Sequence, residues 1–296
     1  MNSRVRFTLT VCFSLLFLGY FQPAFLPGQE TPFRWNGSVD WKSLIFTLRI
    51  EGSVPSSIVN PPTATAATEK AIEKALPQIF IEAASEIQID SKRTLAEEFQ
   101  KSDTIASNIL LQAYSGNRGF PRYTSSLNSV TVEYSYPLYS TFSPLFIRHT
   151  QPIDIPRILH WTPTARFSGI VIYAKGELPV YGEHRMDRLK PALFPELFTE
   201  TMDPVLLTSM GDPLHLRRWG VAAYSDSFDE TPYLERIGNT PLRVFATGLF
   251  GKYPTDILLA TEDAYKILSR PENRMLLAEG RILIITDQIR ESFQLK

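Results

Sequence analysis

The chain has a single cysteine, and its position limits how the protein can be stabilised. Cys12 lies within an apolar run from Phe7 to Phe21 that follows Arg4 and Arg6. A basic start followed by a short apolar stretch is typical of a secretory signal, and this run is shorter than the roughly 20 residues of a membrane-spanning helix. We therefore predict a signal peptide over residues 1–28. The exported chain would then contain no cysteine and would fold around an apolar core without disulfides.

Cleavage is predicted after Gly28, so that Gln29 begins the mature chain. The alternative is an uncleaved anchor from Phe7 to Leu26, which would make this a bitopic protein of the inner membrane. In that case the N-terminal segment would supply the only membrane contact.

Composition predicts a globular protein without an overall attraction for nucleic acid. Of 296 residues, 44% are hydrophobic and 21% are charged, which suits one large or two ordinary domains. The 30 basic and 31 acidic side chains leave a formal charge of −1. Because no net positive charge draws the chain to polyanions, we expect no nucleic-acid partner.

The first half predicts an α+β domain over residues 41–138. Leu44–Ile50 is typical of a strand, and apolar spacing from Glu69 onward indicates a helix that Pro77 should kink. Thr94 and Glu97 form a capping box that opens a second helix, and Val130–Tyr136 alternates as a half-buried strand does. The prolines of residues 53–68 predict a loop, and Asn36-Gly37-Ser38 predicts a turn.

A second α+β domain is predicted over residues 167–290, after a proline- and aromatic-rich linker or cover at 139–166. Phe167–Ala174 and Leu242–Leu249 are typical of strands, and Thr261 is a candidate helix cap. Arg281–Thr286 is continuously apolar, as expected of a strand buried on both faces. The expected fold class is therefore α+β, with two small mixed lobes.

No familiar catalytic signature occurs in the sequence. It lacks GxGxxG, Walker, HExxH, GxSxG and SxxK motifs, which excludes the commonest nucleotide, zinc-protease and serine-hydrolase patterns. The four histidines have no metal-ligand spacing and no cysteine beside them. We expect no catalytic residue, no cofactor and no metal site.

One polar cluster is the candidate for a ligand site. His184, Arg188, His215 and Arg218 could place two basic groups around an anion or a lipid headgroup. The alternative is a hydrated surface whose charges pair with one another.

Aromatic residues concentrate in the proline-rich connection, where Tyr139, Phe142 and Phe146 are the candidates for partner binding. Large aromatic side chains carry contact area at little entropic cost, so they could form an interaction face. The alternative is that they fill the seam between the two lobes.

Two stretches resemble known families. Residues 71–138, with Ile87-Gln-Ile-Asp-Ser91 between two helices, resemble the compact domain of membrane-associated lipoproteins and of flagellar assembly proteins of the P and T types. Residues 167–287 resemble the C-terminal half of uncharacterised exported proteins of diderm bacteria, through the segments Phe167–Ala174, Lys190–Pro195, Arg236–Leu242, Thr255–Leu259 and Gly280–Ile285. Those relatives tend to carry an acidic residue where this chain has Tyr173.

The resemblance implies a structural or assembly component of the bacterial envelope, periplasmic or associated with the outer membrane, with other envelope or flagellar proteins as partners. We expect no enzymatic activity. The alternative is a periplasmic ligand-binding or hydrolytic protein whose site lies between the lobes.

Overall fold

The structure is a computed structural model that describes residues 33–55 and 60–294. The predicted signal peptide or anchor over residues 1–28 lies outside these ranges. Within them the strands are β1 (Phe33–Asp40), β2 (Ile45–Ser53), β3 (Gln88–Asp90), β4 (Arg93–Thr94), β5 (Asn117–Arg118), β6 (Arg122–Tyr123), β7 (Ser129–Pro137), β8 (Ile170–Tyr173), β9 (Leu178–Pro179), β10 (Met186–Asp187), β11 (Leu197–Thr199), β12 (Pro204–Leu206), β13 (Ala223–Ser225), β14 (Leu242–Phe250), β15 (Asp256–Leu259), β16 (Ile282–Ile285) and β17 (Arg290–Gln294).

The helices of the described ranges are fewer and mostly short. They are α1 (Pro61–Ala84), α2 (Leu95–Lys101), α3 (Asp103–Gln112), α4 (Leu138–Phe142), α5 (Pro213–Trp219), α6 (Leu234–Ile237), α7 (Thr261–Leu268) and α8 (Pro271–Ala278). None of these helices combines the length and apolarity needed to cross a bilayer. The mixture of helices and strands confirms the predicted α+β class.

The first domain is an antiparallel sheet covered on one face by α1. Its strand order is β17-β1-β2-β7-β5, with β6 also paired to β7. Alternate residues of β1, β2 and β7 are buried beneath α1, as expected of a sheet with one solvent face. Phe46, Phe80, Tyr136 and Phe142 pack together in this layer, with ring centroids between 4.6 and 6.1 Å apart.

Several boundaries of the first domain differ from the predictions. Helix α1 begins at Pro61, because proline suits the first helical positions, so residues 61–68 of the predicted loop are helical. Pro77 lies inside α1 without ending it. Ser102 separates α2 from α3, which were predicted as one helix. The predicted turn at residues 36–38 lies within β1.

The domain limits also need correction. The first sheet begins at Phe33, so the predicted start at residue 41 omits a whole strand. At the other end of the chain β17 pairs with β1, from Asp40 opposite Arg290 to Asn36 opposite Gln294. Residues 290–294 therefore complete the first sheet, although they follow the second domain in sequence.

The second domain is a seven-stranded mixed sheet in the order β12-β11-β15-β14-β8-β16-β13. Strands β14, β8, β16 and β13 are parallel. All four residues of β16 are buried, which confirms the prediction of a strand covered on both faces. The main core lies on one face, and a smaller cluster around Val171, Ile237 and Leu283 covers the other.

The connection between the domains packs against the second domain. After α4 and a 3-10 turn at Ser143–Leu145, residues 146–166 contain neither helix nor strand. The Ile153 N–H donates to the Ser209 carbonyl at 2.9 Å, and the Thr164 hydroxyl donates to the Lys266 carbonyl at 2.7 Å. These bonds hold the segment on the surface of the second domain.

Candidate functional site

A cleft of about 530 Å³ lies between the two domains. The first domain supplies one wall, from the β3–β4 turn and α2. The second domain supplies the other wall, from the segment before β11 and the 3-10 turn at Thr208–Met210. We call this the interdomain cleft, and its lining residues are Asp90, Ser91, Lys92, Arg93, Glu98, Lys101, Phe146, Phe194, Glu196, Thr208 and Ser209.

Charges on the first wall neutralise one another. Arg93 Nε lies 2.8 Å from Asp90 Oδ2, and Arg93 Nη1 lies 3.1 Å from Glu98 Oε2. Lys101 Nζ lies 3.5 Å from the other oxygen of Glu98. The Thr94 N–H donates to Glu97 Oε2 at 3.0 Å, so the predicted capping box helps to start α2 where Glu98 can reach Arg93.

The second wall carries a carboxylate without a cation. Glu196 Oε1 accepts the Thr208 N–H at 3.0 Å. Among residues 33–55 and 60–294, no lysine, arginine or histidine forms an ion pair with Glu196. The Phe194 N–H donates to the Ile89 carbonyl at 2.9 Å, which ties this wall to the first domain.

Aromatic rings line part of the cleft. The rings of Phe146 and Phe194 meet edge to face with centroids 6.3 Å apart, and the Arg93 guanidinium lies 5.7 Å from the centroid of Phe146. The cleft therefore combines an apolar surface with one neutralised wall and one acidic wall.

Asp256 lies directly behind the acidic wall and is 1% exposed. Its Oδ1 accepts the Glu196 N–H at 3.1 Å, and its Oδ2 has no hydrogen-bond partner in the described part of the chain. Burial raises the pKa of Asp256 to about 7, with the Glu196 carboxylate acting in the same direction. The Glu196 N–H and the Thr255 hydroxyl, which both donate to Oδ1, offset this shift only in part, although they stabilise the charged form.

The predicted ligand-binding residues do not form one site. His184 and Arg188 lie on the β9–β10 hairpin, which follows the C-terminal end of β8. His215 and Arg218 lie on α5, which leads into the N-terminal end of β13, a strand of the same parallel array. The two pairs therefore lie at opposite ends of the parallel strands, and the structure does not bring them together as predicted.

The predicted ligand-binding residues on α5 interact with their neighbours in the same helix. Asp212 Oδ1 accepts the backbone N–H groups of Leu214 and His215, at 2.9 and 3.1 Å, and so caps the helix. His215 Nδ1 lies 2.9 Å from the same oxygen. Arg218 lies 5.7 Å from the centroid of the Trp219 ring.

Two of the three predicted partner-binding aromatics are buried. Phe142 packs in the first domain's core, and the Tyr139 hydroxyl donates to the Ala222 carbonyl at 3.1 Å across to the second domain. Phe146 is half-buried in the interdomain cleft. An exposed face at Tyr139 and Phe142 is therefore wrong. Tyr139 lies in the seam between the lobes, which was the alternative, and Phe142 lies in the core of the first domain.

A buried arginine lies at the N-terminal edge of the parallel strands. Arg236 is 6% exposed and donates from Nε to the Gly280 carbonyl at 2.7 Å, from Nη1 to Trp219 at 2.9 Å and from Nη2 to Gly220 at 2.8 Å. Its guanidinium also lies 4.9 Å from the centroid of the Trp219 ring. Burial lowers the pKa of Arg236 to about 10, so the side chain stays charged at neutral pH. It joins the loops before β13 and β16 to α6.

Exposed apolar side chains are concentrated at one edge of the first sheet. We call residues 111–127 the aromatic edge, which runs from the end of α3 through β5 and β6. Of the sixteen large hydrophobic side chains that are exposed in the described ranges, five lie here, namely Leu111, Tyr114, Phe120, Tyr123 and Leu127. Phe120 is 95% exposed. No acidic residue occurs from residue 104 to residue 132.

The sequence patterns did not identify Glu196 and Asp256, the acidic residues at the interdomain cleft. Glu196 follows Pro195, and Asp256 precedes the apolar Ile257-Leu258-Leu259 of a buried strand. An acidic residue directly beside a fully apolar strand was the available signal for Asp256. No comparable signal marks Glu196, because its position depends on the pairing of β11 with β15.

Two family models match successive parts of the chain. Residues 32–145 match the model described as the N-terminal domain of Treponema pallidum Tp0624. Residues 169–288 match the model described as the second domain of the same protein. A comparison with curated proteins gave no match. The chain is therefore similar to the N-terminal and second domains of Tp0624, in that order and over segments that correspond to the two sheets.

Proposed function

We propose that this protein is a non-enzymatic, exported assembly component of the bacterial envelope. The observation that carries the proposal is the aromatic edge, where five large apolar side chains are exposed within 17 residues. Clustered exposed apolar side chains are typical of protein interaction sites, and aromatic residues often supply most of the binding energy there. The signal-like N-terminus and the resemblance to envelope lipoprotein and flagellar assembly domains also support it.

The chemistry of the aromatic edge indicates the kind of partner. Strands β5 and β6 lie at the edge of the first sheet, but Pro121 between them has no N–H to donate to an added strand. Binding is therefore expected through side chains, with Phe120 entering an apolar pocket. Arg118 is already paired with Glu69 and Glu73, but Arg122 is exposed and forms no ion pair within the described ranges. The pocket of the partner protein should therefore have an acidic group opposite Arg122.

The test compares two pairs of exposed aromatic residues in the native host. Tyr114→Ser with Phe120→Ser should remove the partner that co-purifies after crosslinking of the envelope. The matched control is Phe228→Ser with Phe245→Ser, two exposed aromatics of the second domain. The edge variant should melt within about 2 °C of wild type, since exposed substitutions seldom change the free energy of unfolding by more than about 0.5 kcal/mol.

Two results would contradict the proposal. One is an edge variant that keeps every crosslinked partner, and the other is equal loss of partners in both variants. A flagellar role is a narrower form of the proposal, and it requires that the edge variant also lose motility while the control variant swims normally.

A further inference from the structure

The second wall of the interdomain cleft places two acidic groups close together. The Glu196 N–H donates to Asp256 Oδ1, so the two residues adjoin, and the charge of Glu196 disfavours ionisation of Asp256. Neither carboxylate forms an ion pair with another residue of the described ranges. A cation at this wall would relieve their repulsion and would supply Glu196 with a charged hydrogen-bond donor.

The opposite wall does not oppose a cation. The positive charges of Arg93 and Lys101 are neutralised by Asp90 and Glu98 at 2.8 to 3.5 Å. Lys92, the remaining basic residue of the lining, is exposed, so solvent and salt screen its charge. The electrostatic asymmetry of the cleft therefore favours positive charge beside Glu196.

The aromatic lining of the cleft indicates the chemistry of the rest of the ligand. Phe146 is half-buried and presents apolar surface to the cleft, whereas Phe194 is 2% exposed and packs behind it edge to face. A volume of about 530 Å³ is ordinary for a small-molecule pocket. A ligand that fits both features has a cationic group joined to an aliphatic or aromatic part.

We infer that the interdomain cleft binds an amphipathic cation, with its ammonium or guanidinium group on Glu196 and its apolar part on Phe146. The volume of the cleft suits a free small molecule of this kind. The inference concerns a surface separate from the aromatic edge, so the two can be tested independently.

The probe is Nα-benzoyl-arginine amide, which carries an aromatic ring and a guanidinium group, and binding is measured by calorimetry at low salt. The matched neutral probe is Nα-benzoyl-citrulline amide, which has nearly the same shape without the charge. We expect the arginine probe to bind about 10- to 100-fold more tightly, because hydrogen bonds to charged groups contribute more than neutral ones. Agmatine, which carries a guanidinium group without an aromatic ring, should bind more weakly than the benzoyl probe, because it cannot cover Phe146.

Glu196→Gln should reduce affinity for the arginine probe about tenfold or more, while its amide oxygen can still accept the Thr208 N–H. Glu200→Gln is the matched control, since Glu200 is exposed and outside the lining, and it should bind as wild type does. Ser209→Trp should also block binding by filling the cleft from its rim. The inference is overturned if the wild type binds neither arginine nor agmatine probe at millimolar concentration, if citrulline binds equally well, or if Glu196→Gln binds unchanged.

Discussion

The second domain buries one basic and one acidic side chain, and the two are accommodated differently. Arg236 donates to three carbonyl groups and lies over the Trp219 ring. Asp256 is even less exposed, yet one of its oxygens has no partner within the described residues. Burial disfavours the charged form of both groups, lowering the pKa of Arg236 and raising that of Asp256.

The difference indicates separate roles. A buried polar group whose hydrogen bonds are satisfied stabilises one arrangement of the chain, and at Arg236 this arrangement joins the loops before β13 and β16 to the end of α6. A buried acid that is only partly satisfied costs stability, and such groups occur preferentially at functional sites. Asp256 adjoins the interdomain cleft, which is why we connect it with ligand binding and Arg236 with folding.

Arg236→Met should have the largest effect, because it leaves the carbonyls of Trp219, Gly220 and Gly280 without their donor. We expect the free energy of unfolding to fall by about 3–5 kcal/mol, measured by urea denaturation. Arg188→Met is the matched control at an exposed position and should change it by less than about 0.5 kcal/mol. Equally small decreases in the free energy of unfolding of both variants would show that the hydrogen bonds of Arg236 do not stabilise the fold.

Gly280→Ala tests whether the carbonyl groups around Arg236 must keep their positions, and it leaves the arginine in place. Gly280 has a φ of +64°, and an added Cβ would lie 2.5 Å from the Gly220 carbonyl oxygen that Arg236 binds. We expect a loss of about 2–3 kcal/mol from strain and displacement of this carbonyl. A variant as stable as wild type in urea would mean that the two loops bound by Arg236 can move without loss of stability.

Asp256→Asn should raise the free energy of unfolding, and the size of this gain should depend on pH. The pKa of Asp256 is about 7 in the folded chain, above the usual value of 3.8, so the folded state holds the proton more tightly than the unfolded state. The stabilisation from protonation is complete below about pH 4 and is lost as pH rises through 7. The free energy of unfolding of Asp256→Asn should therefore rise relative to that of wild type by about 3–4 kcal/mol between pH 4 and pH 8.

This gain is measured as the difference between the urea denaturation curves of the two proteins at each pH, which cancels the other titrating groups. Asp263→Asn provides the control, because Asp263 is near the surface and paired with Lys266. A difference between Asp256→Asn and wild type that is constant with pH would show that Asp256 titrates normally, and its contrast with Arg236 would then disappear.

Local sequence patterns predicted much of the fold. The alternation of Val130–Tyr136 became β7, and the apolar Arg281–Thr286 contained the fully buried β16. Strand β1 was missed because Asn36-Gly37-Ser38 is typical of a turn, and β17 because Arg290–Gln294 is mostly polar. Both strands exist because they pair with each other and β1 with β2, and this pairing joins residues about 250 positions apart in sequence.

The sequence by itself determined the α+β class, the capping box at Thr94 and the fully buried strand β16 of the second domain. These features depend on the spacing of neighbouring residues, which the chain order specifies directly. Only the tertiary structure separated His184 and Arg188 from His215 and Arg218, buried Tyr139 in the seam, and brought Glu196 beside Asp256. Such placements depend on strand order and on the packing of distant segments, and no local pattern of residues records them.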